Sequence, residues 1–144
     1  MALELKTSIK IEATPQQVWQ QLLDFESYPV WNPFITEISV NASEGGKLSI
    51  FAGGMKFKPS VLVYEEPREF KWLGSLLFKG IFDGAHRFLL EKDSNGNTIL
   101  HHSEQFQGIL VPVFKKKLLE ETKANFKKMN EALKNRVEQN ILIS

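Results

Sequence analysis

Cysteine is absent from the chain, which removes disulfides, thiolate metal sites and thiol nucleophiles together. Charge of one sign is scarce as well. Eighteen Lys and Arg against 17 Asp and Glu leave a formal net charge of +1, so no nucleic-acid partner is expected, because such partners favour clearly basic domains. Long hydrophobic runs are missing too. The longest, residues 109–114, falls far short of the roughly 20 residues that span a bilayer, and no transmembrane segment is expected. The opening residues Met1-Ala2-Leu3-Glu4-Leu5-Lys6 lack a basic region followed by an apolar one, so no secretory signal is read there and a cytoplasmic location is expected. Histidine is limited to positions 86, 101 and 102. His101 and His102 are neighbours on a strand and point to opposite faces, so no metal and no other cofactor is anticipated. Gly45-Gly46 and Gly53-Gly54 read as turns, and no phosphate-binding loop is seen.

What is present fits one ordinary globular unit. The 144 residues, 42% hydrophobic and 24% charged, suffice for a core, and residues 1–144 are expected to form a single domain, monomeric or homodimeric. The 11 phenylalanines suit either a Phe-rich core or the lining of a cavity.

Periodicity supplies the elements. Residues 3–12 alternate as a strand, with Leu5, Thr7, Ile9 and Ile11 on one face. Thr14-Pro15-Gln16-Gln17 then announces a helix: Thr14 caps it, Pro15 suits the first position and Gln17 completes a capping box. Ser27 is expected to cap a second short helix that stops before Pro33. Period-two segments follow at residues 35–40, 47–52, 57–65 and 69–73, with Pro59 marking an edge or a bulge. Two longer strands, 79–92 and 98–108, flank the turn Asp93-Ser94-Asn95-Gly96-Asn97. From Pro112, an apolar stripe of Phe114, Leu118, Thr122, Phe126, Met129, Leu133 and Val137 predicts a helix to about residue 139. The fold class is therefore α+β: a curved antiparallel sheet of seven strands around a long C-terminal helix, with two short helices between strands 1 and 2.

The stretch from Ile11 through Thr14, Pro15, Val18 and Trp19, with Asp24-Phe25, Tyr28-Pro29 and Trp31-Asn32-Pro33-Phe34, resembles the polyketide cyclase/dehydrase-like branch of the START-related SRPBCC superfamily. Phe82, Gly84, His86 and Phe88, then His102, Glu104, Phe106 and Gly108, extend the resemblance over nearly the whole chain. It implies the helix-grip fold. It also implies a choice among lipid carriers, hormone receptors, polyketide cyclases and chaperone-activating modules that fold alone does not resolve.

Alternation assigns the concave face. Phe82, Gly84, His86, Phe88 and Leu90 share one side of their strand, and Leu100, His102, Glu104 and Phe106 share one side of the next. Phe57, Val61 and Val63, then Phe70 and Trp72, join them from earlier strands; Leu118, Thr122, Phe126 and Met129 join from the helix. Trp31 is placed at the helix-to-strand corner or at the mouth of a pocket. These residues are expected to line a cavity for a small hydrophobic ligand, centred near Phe126 and Met129. Gly84 implies a bulge or a close approach, with room for Phe106 opposite. Among the apolar positions, His86 and Glu104 are polar, and an unpaired charge there would be costly. A hairpin centred on Asn95 places residues whose numbers sum to 190 opposite one another, so His86 faces Glu104. The pair is the candidate polar anchor for a lipid, isoprenoid or aromatic ligand. Two other functions remain open: an acid/base dyad of a cyclase or dehydratase, or an interaction module working through its outer surface.

Overall fold

The computed structural model describes residues 2–41, 46–76 and 80–143. Strand β1 (Ala2–Ile11) leads into α1 (Pro15–Leu22), a 3-10 turn (Phe25–Ser27) and α2 (Tyr28–Trp31). Strands β2 (Ile35–Asn41), β3 (Lys47–Ala52), β4 (Met55–Phe57), β5 (Ser60–Glu65), β6 (Glu69–Leu76), β7 (Phe82–Lys92) and β8 (Thr98–Gln107) follow. Helix α3 (Val111–Lys117), a π-helical segment (Leu118–Thr122) and α4 (Lys123–Ile143) complete the chain.

The strands form one antiparallel sheet ordered β1-β8-β7-β6-β5-β3-β2, with β4 attached to β3. It curls around the C-terminal helix in a helix-grip arrangement of the α+β class, the short helices lying between β1 and β2. Local signals act as expected at α1, where the Thr14 side chain accepts from Gln17 N and the Gln17 side chain accepts from Thr14 N. Ser27 sits at the N-cap of α2 without capping it; its hydroxyl donates to Asp24. Asn32 Oδ1 accepts from the backbone of Phe34 and Ile35, which holds the corner into β2.

Three expectations need correction. The segment 57–65 is two strands, because Pro59 has no N–H for the ladder: β4 pairs with β3, while β5 pairs along its length with β6 and meets β3 only at Ser60. A bulge between Val61 and Val63 then costs β5 one residue of register: Val61 opposes Trp72, but Val63 opposes Lys71. Opposed residues share a face, so Val63 lies on the convex side, and Tyr64, not Val63, reaches the rings of Trp19 and Phe70. Strand β7 begins at Phe82; position 79, where the alternation starts, lies outside the described residues.

The C-terminal helix contains a π segment that simple periodicity did not anticipate. Phe114, Leu118, Thr122 and Phe126 are three successive four-residue steps, each drifting about 40° on a 3.6-residue helix. The wider π turn over Leu118–Thr122 cancels that drift and keeps the stripe facing the sheet. The main core joins Trp19, Leu22, Tyr28, Phe70, Phe88, Leu100, Met129, Leu133 and Val137. A smaller cluster of Leu5, Phe106, Val111, Leu118 and Phe126 lies at the other end of the helix.

Candidate functional site

The β7–β8 hairpin fixes the site's register. Asp93 Oδ1 accepts from the backbone N–H groups of Asn95 and Asn97, and Gly96 takes a left-handed φ of 84° that only glycine adopts freely. From this turn the ladder pairs Leu90 with Leu100, Phe88 with His102, His86 with Glu104, and Gly84 with Phe106. This is the register inferred from a hairpin centred on Asn95. His86 Nδ1 lies 3.2 Å from Glu104 Oε1.

The pair is the outer end of a longer buried chain. His86 Nε2 is 2.7 Å from His102 Nε2, and His102 Nδ1 is 2.7 Å from Asn130 Oδ1 on α4. Asn130 Nδ2 donates to Thr7 Oγ1 over 2.9 Å, and Thr7 Oγ1 donates to the His102 carbonyl over 2.6 Å. His102 is fully buried, and Asn130, His86 and Thr7 are nearly so.

Hydrogen-bond direction along this chain is dictated from its inner end. A carbonyl can only accept, so Thr7 donates to it and must accept from the Asn130 amide. Asn130 Oδ1 is then the acceptor, and His102 Nδ1 carries hydrogen. Complete burial, reinforced by charge on His86, holds the His102 imidazole well below its ordinary range. It is therefore neutral, and its Nε2 accepts from His86 Nε2–H. A hydrogen on His86 Nδ1 or on Glu104 Oε1 completes the contact between them. Without it, two lone pairs would face each other at 3.2 Å.

Aromatic rings enclose the imidazoles. Phe126 stacks on His102 with ring centroids 4.2 Å apart and an 11° tilt; Phe88 covers it at 4.5 Å. Trp72 stacks on His86 at 4.6 Å. These rings exclude water from the inner chain and strengthen its electrostatics.

Beside the outer end lies a cavity of about 430 Å³. Of the residues expected to line it, Phe57, Trp72, Phe82, His86, Glu104, Phe106, Leu118 and Thr122 do so. Gly84 lies beneath it, covered by the Glu104 carboxylate. Phe70, Phe88 and Met129 are packed in the main core, with Val61 against it, and Phe126 and His102 are buried and stacked on one another rather than lining the cavity. Trp31 packs edge-on against Tyr28, away from the opening, and Val63 is on the opposite face. The void therefore sits beside the π segment, towards the N-terminal end of the helix from Phe126 and Met129, because stacked rings fill the expected position.

The space at Gly84 also has a different occupant. The ladder runs through Gly84 without a bulge, and a Cβ there would collide with Glu104 Oε2, not with the ring of Phe106. Gly74 on β6 pairs with Gly84 and lines the cavity, so two adjacent residues without side chains open this part of the sheet.

Two members of the site, Thr7 and Asn130, were not singled out from the sequence. The signals are modest: Thr7 interrupts the inward run of Leu5, Ile9 and Ile11, and Asn130 sits four residues after Phe126 and three before Leu133 on the buried stripe. A polar residue at such positions asks for a partner. Among the described residues no group of three or more His, Asp or Glu is placed to hold a metal ion. None of their helices is long and apolar enough to cross a membrane.

Solved structures share this architecture. A START superfamily protein from Mycobacterium smegmatis superposes with a TM-score of 0.72 at 23% identity, covering 94% of this chain and 97% of its own. A hypothetical protein from Helicobacter pylori gives 0.80 at 14%, covering 94% and 88%. The di-domain ARO/CYC StfQ from the steffimycin biosynthetic pathway gives 0.76 at 9%, with 98% of this chain laid over 52% of that one. At these identities the likeness is one of fold. No curated protein matches the sequence. The family model described as polyketide cyclase/dehydrase and lipid transport matches residues 2–138, and the chain belongs to that family.

Proposed function

We propose that this protein binds a small hydrophobic molecule, of the lipid, isoprenoid or aromatic polyketide-like kind, between its sheet and its C-terminal helix. The observation that carries the reading is the cavity of about 430 Å³, mostly apolar, with the Glu104–His86 pair, Thr122 and Asn125 as its polar lining and Lys117 and Glu121 at a charged rim. Its volume falls within the roughly 300–1,000 Å³ typical of ligand pockets. Protein interiors otherwise pack closely, and an unfilled void forfeits contacts; a ligand supplies them. Glu104, held in place by His86, anchors the ligand's polar end, while Phe57, Phe82, Phe106 and Leu118 enclose its apolar body. Exposed Lys117 and Glu121 stand at the rim.

The hydrogen between His86 and Glu104 favours a second reading, in which the pair acts as acid and base on a polyketide-like substrate. Native mass spectrometry of freshly purified protein tests the first. A co-purifying apolar adduct, lost on denaturation, is the expected result. Absence of an adduct, together with failure to take up any apolar probe, would overturn it. Turnover of the captured compound, abolished in Glu104→Gln, would move the assignment to the second.

A further inference from the structure

Glu104 presents one oxygen whose hydrogen-bonding role is decided by the groups behind it. Oε1 is committed to His86 Nδ1, and the proton between them sits on one of those two atoms. In both arrangements Oε2 carries no hydrogen and can only accept. No donor among the described residues reaches Oε2, which lies over Gly84 beside the cavity. The inner end of the chain offers no relief, because the Asn130 amide is already committed to Thr7. The paired glycines Gly74 and Gly84 keep side chains away from this oxygen. The other lining residues that carry or can carry charge are His86, which is already bonded on both nitrogens, and Lys117 and Glu121, both on the helix at the exposed rim.

Resting on the reading of this cavity as a ligand site, we propose that it selects neutral, hydroxyl-bearing apolar molecules, alcohols or phenols whose O–H donates to Glu104 Oε2. A ligand of the same shape with a carboxylate there would set acceptor against acceptor. One with an ether oxygen would set lone pair against lone pair. Of these three only the hydroxyl completes the arrangement, because it is the one that donates to an oxygen that can only accept.

The test uses three probes of one shape, 2-naphthol, 2-methoxynaphthalene and 2-naphthoate, titrated calorimetrically into the full chain at pH 7. 2-Naphthol is expected to bind at least about tenfold more tightly than either of the others. Two variants locate the cause. Glu104→Gln keeps a donor for His86 Nδ1 and leaves a neutral carbonyl towards the cavity, so the preference should shrink severalfold. Gly84→Ala places a methyl group where Oε2 lies; it should displace the carboxylate and abolish the preference, while circular dichroism and thermal melting confirm that both variants fold. Equal affinity for all three probes would overturn the selectivity while leaving the apolar cavity standing. A preference that survives both variants would overturn the assignment to Glu104. Failure of every probe to bind would overturn this proposal and the binding function together.

Discussion

The space between the sheet and the C-terminal helix has two ends built from similar residues, and they are filled differently. At the α1 end, Met129, Leu133 and Val137 meet Trp19, Leu22, Phe70 and Leu100 with almost no exposed surface. At the π-segment end, Phe34, Phe57, Phe82, Phe114 and Leu118 surround a void. Large apolar side chains dominate both, so hydrophobicity by itself does not separate them. What differs is backbone geometry: Gly74, Gly84, the break at Pro59 and the π turn all fall at the open end. The buried chain from Glu104 to Thr7 stands between them, with its titratable outer pair on the open side. A core thus opens into a cavity by local removal of side chains and displacement of backbone.

Mutations at the two ends should differ most. Leu133→Ala, at a fully buried position in the packed end, is expected to lower unfolding free energy by about 2–5 kcal/mol in urea titrations. Phe114→Ala, half-buried beside the void, should lose no more than about 1 kcal/mol, because the neighbours it leaves are already incompletely packed. Equal losses would mean that the open end is as tightly packed as the other.

The border should respond next. Asn130→Ala leaves the His102 Nδ1–H and the Thr7 hydroxyl without their partner, at an expected loss of about 1–3 kcal/mol in the same titrations. An unaffected midpoint would show that the chain does not hold the border.

Acid acts on the same border. His102 has a lowered pKa in the fold, from burial above all, so it stays neutral when folded and takes up a proton on unfolding. Its contribution is complete above the unfolded value of about 6.5 and is lost as the pH falls below it. Between pH 7.5 and 5.5 this one group should therefore lower stability, because the unfolded imidazole gains protons over that window while the folded one stays neutral. His102→Gln should flatten that part of the pH–stability curve measured by chemical denaturation; an unchanged slope would assign it to other groups.

The smallest stability effect is expected at the open end, where ligand binding is the sensitive readout. A Cβ on Gly74 would meet only Pro59, at an ordinary contact distance of 3.5 Å. Gly74→Ala should change stability by under about 0.5 kcal/mol. By narrowing the cavity, it should reduce uptake of apolar probes severalfold in fluorescence titrations. Unchanged uptake would place the bound molecule away from β6.

Much of this was legible in the residues themselves. The turn at Asp93 to Asn97 fixed the register of β7 and β8, and with it the meeting of His86 and Glu104, because hairpin pairing follows arithmetically from the turn. The inward faces of β1, β6, β7, β8 and the helix followed from alternation and from three- and four-residue spacing, which are local consequences of strand and helix geometry. Local pattern could not place Val63, because a bulge depends on how the partner strand is matched. Nor could it show that His86 continues through His102 to Asn130 and Thr7, since those residues meet only when β1, β7, β8 and α4 pack together. The sequence by itself determined the fold and the polar pair through short-range geometry. Only the tertiary structure decided where the core stays empty and which way the hydrogen bonds run, because both depend on side chains far apart in the chain filling, or failing to fill, the same space.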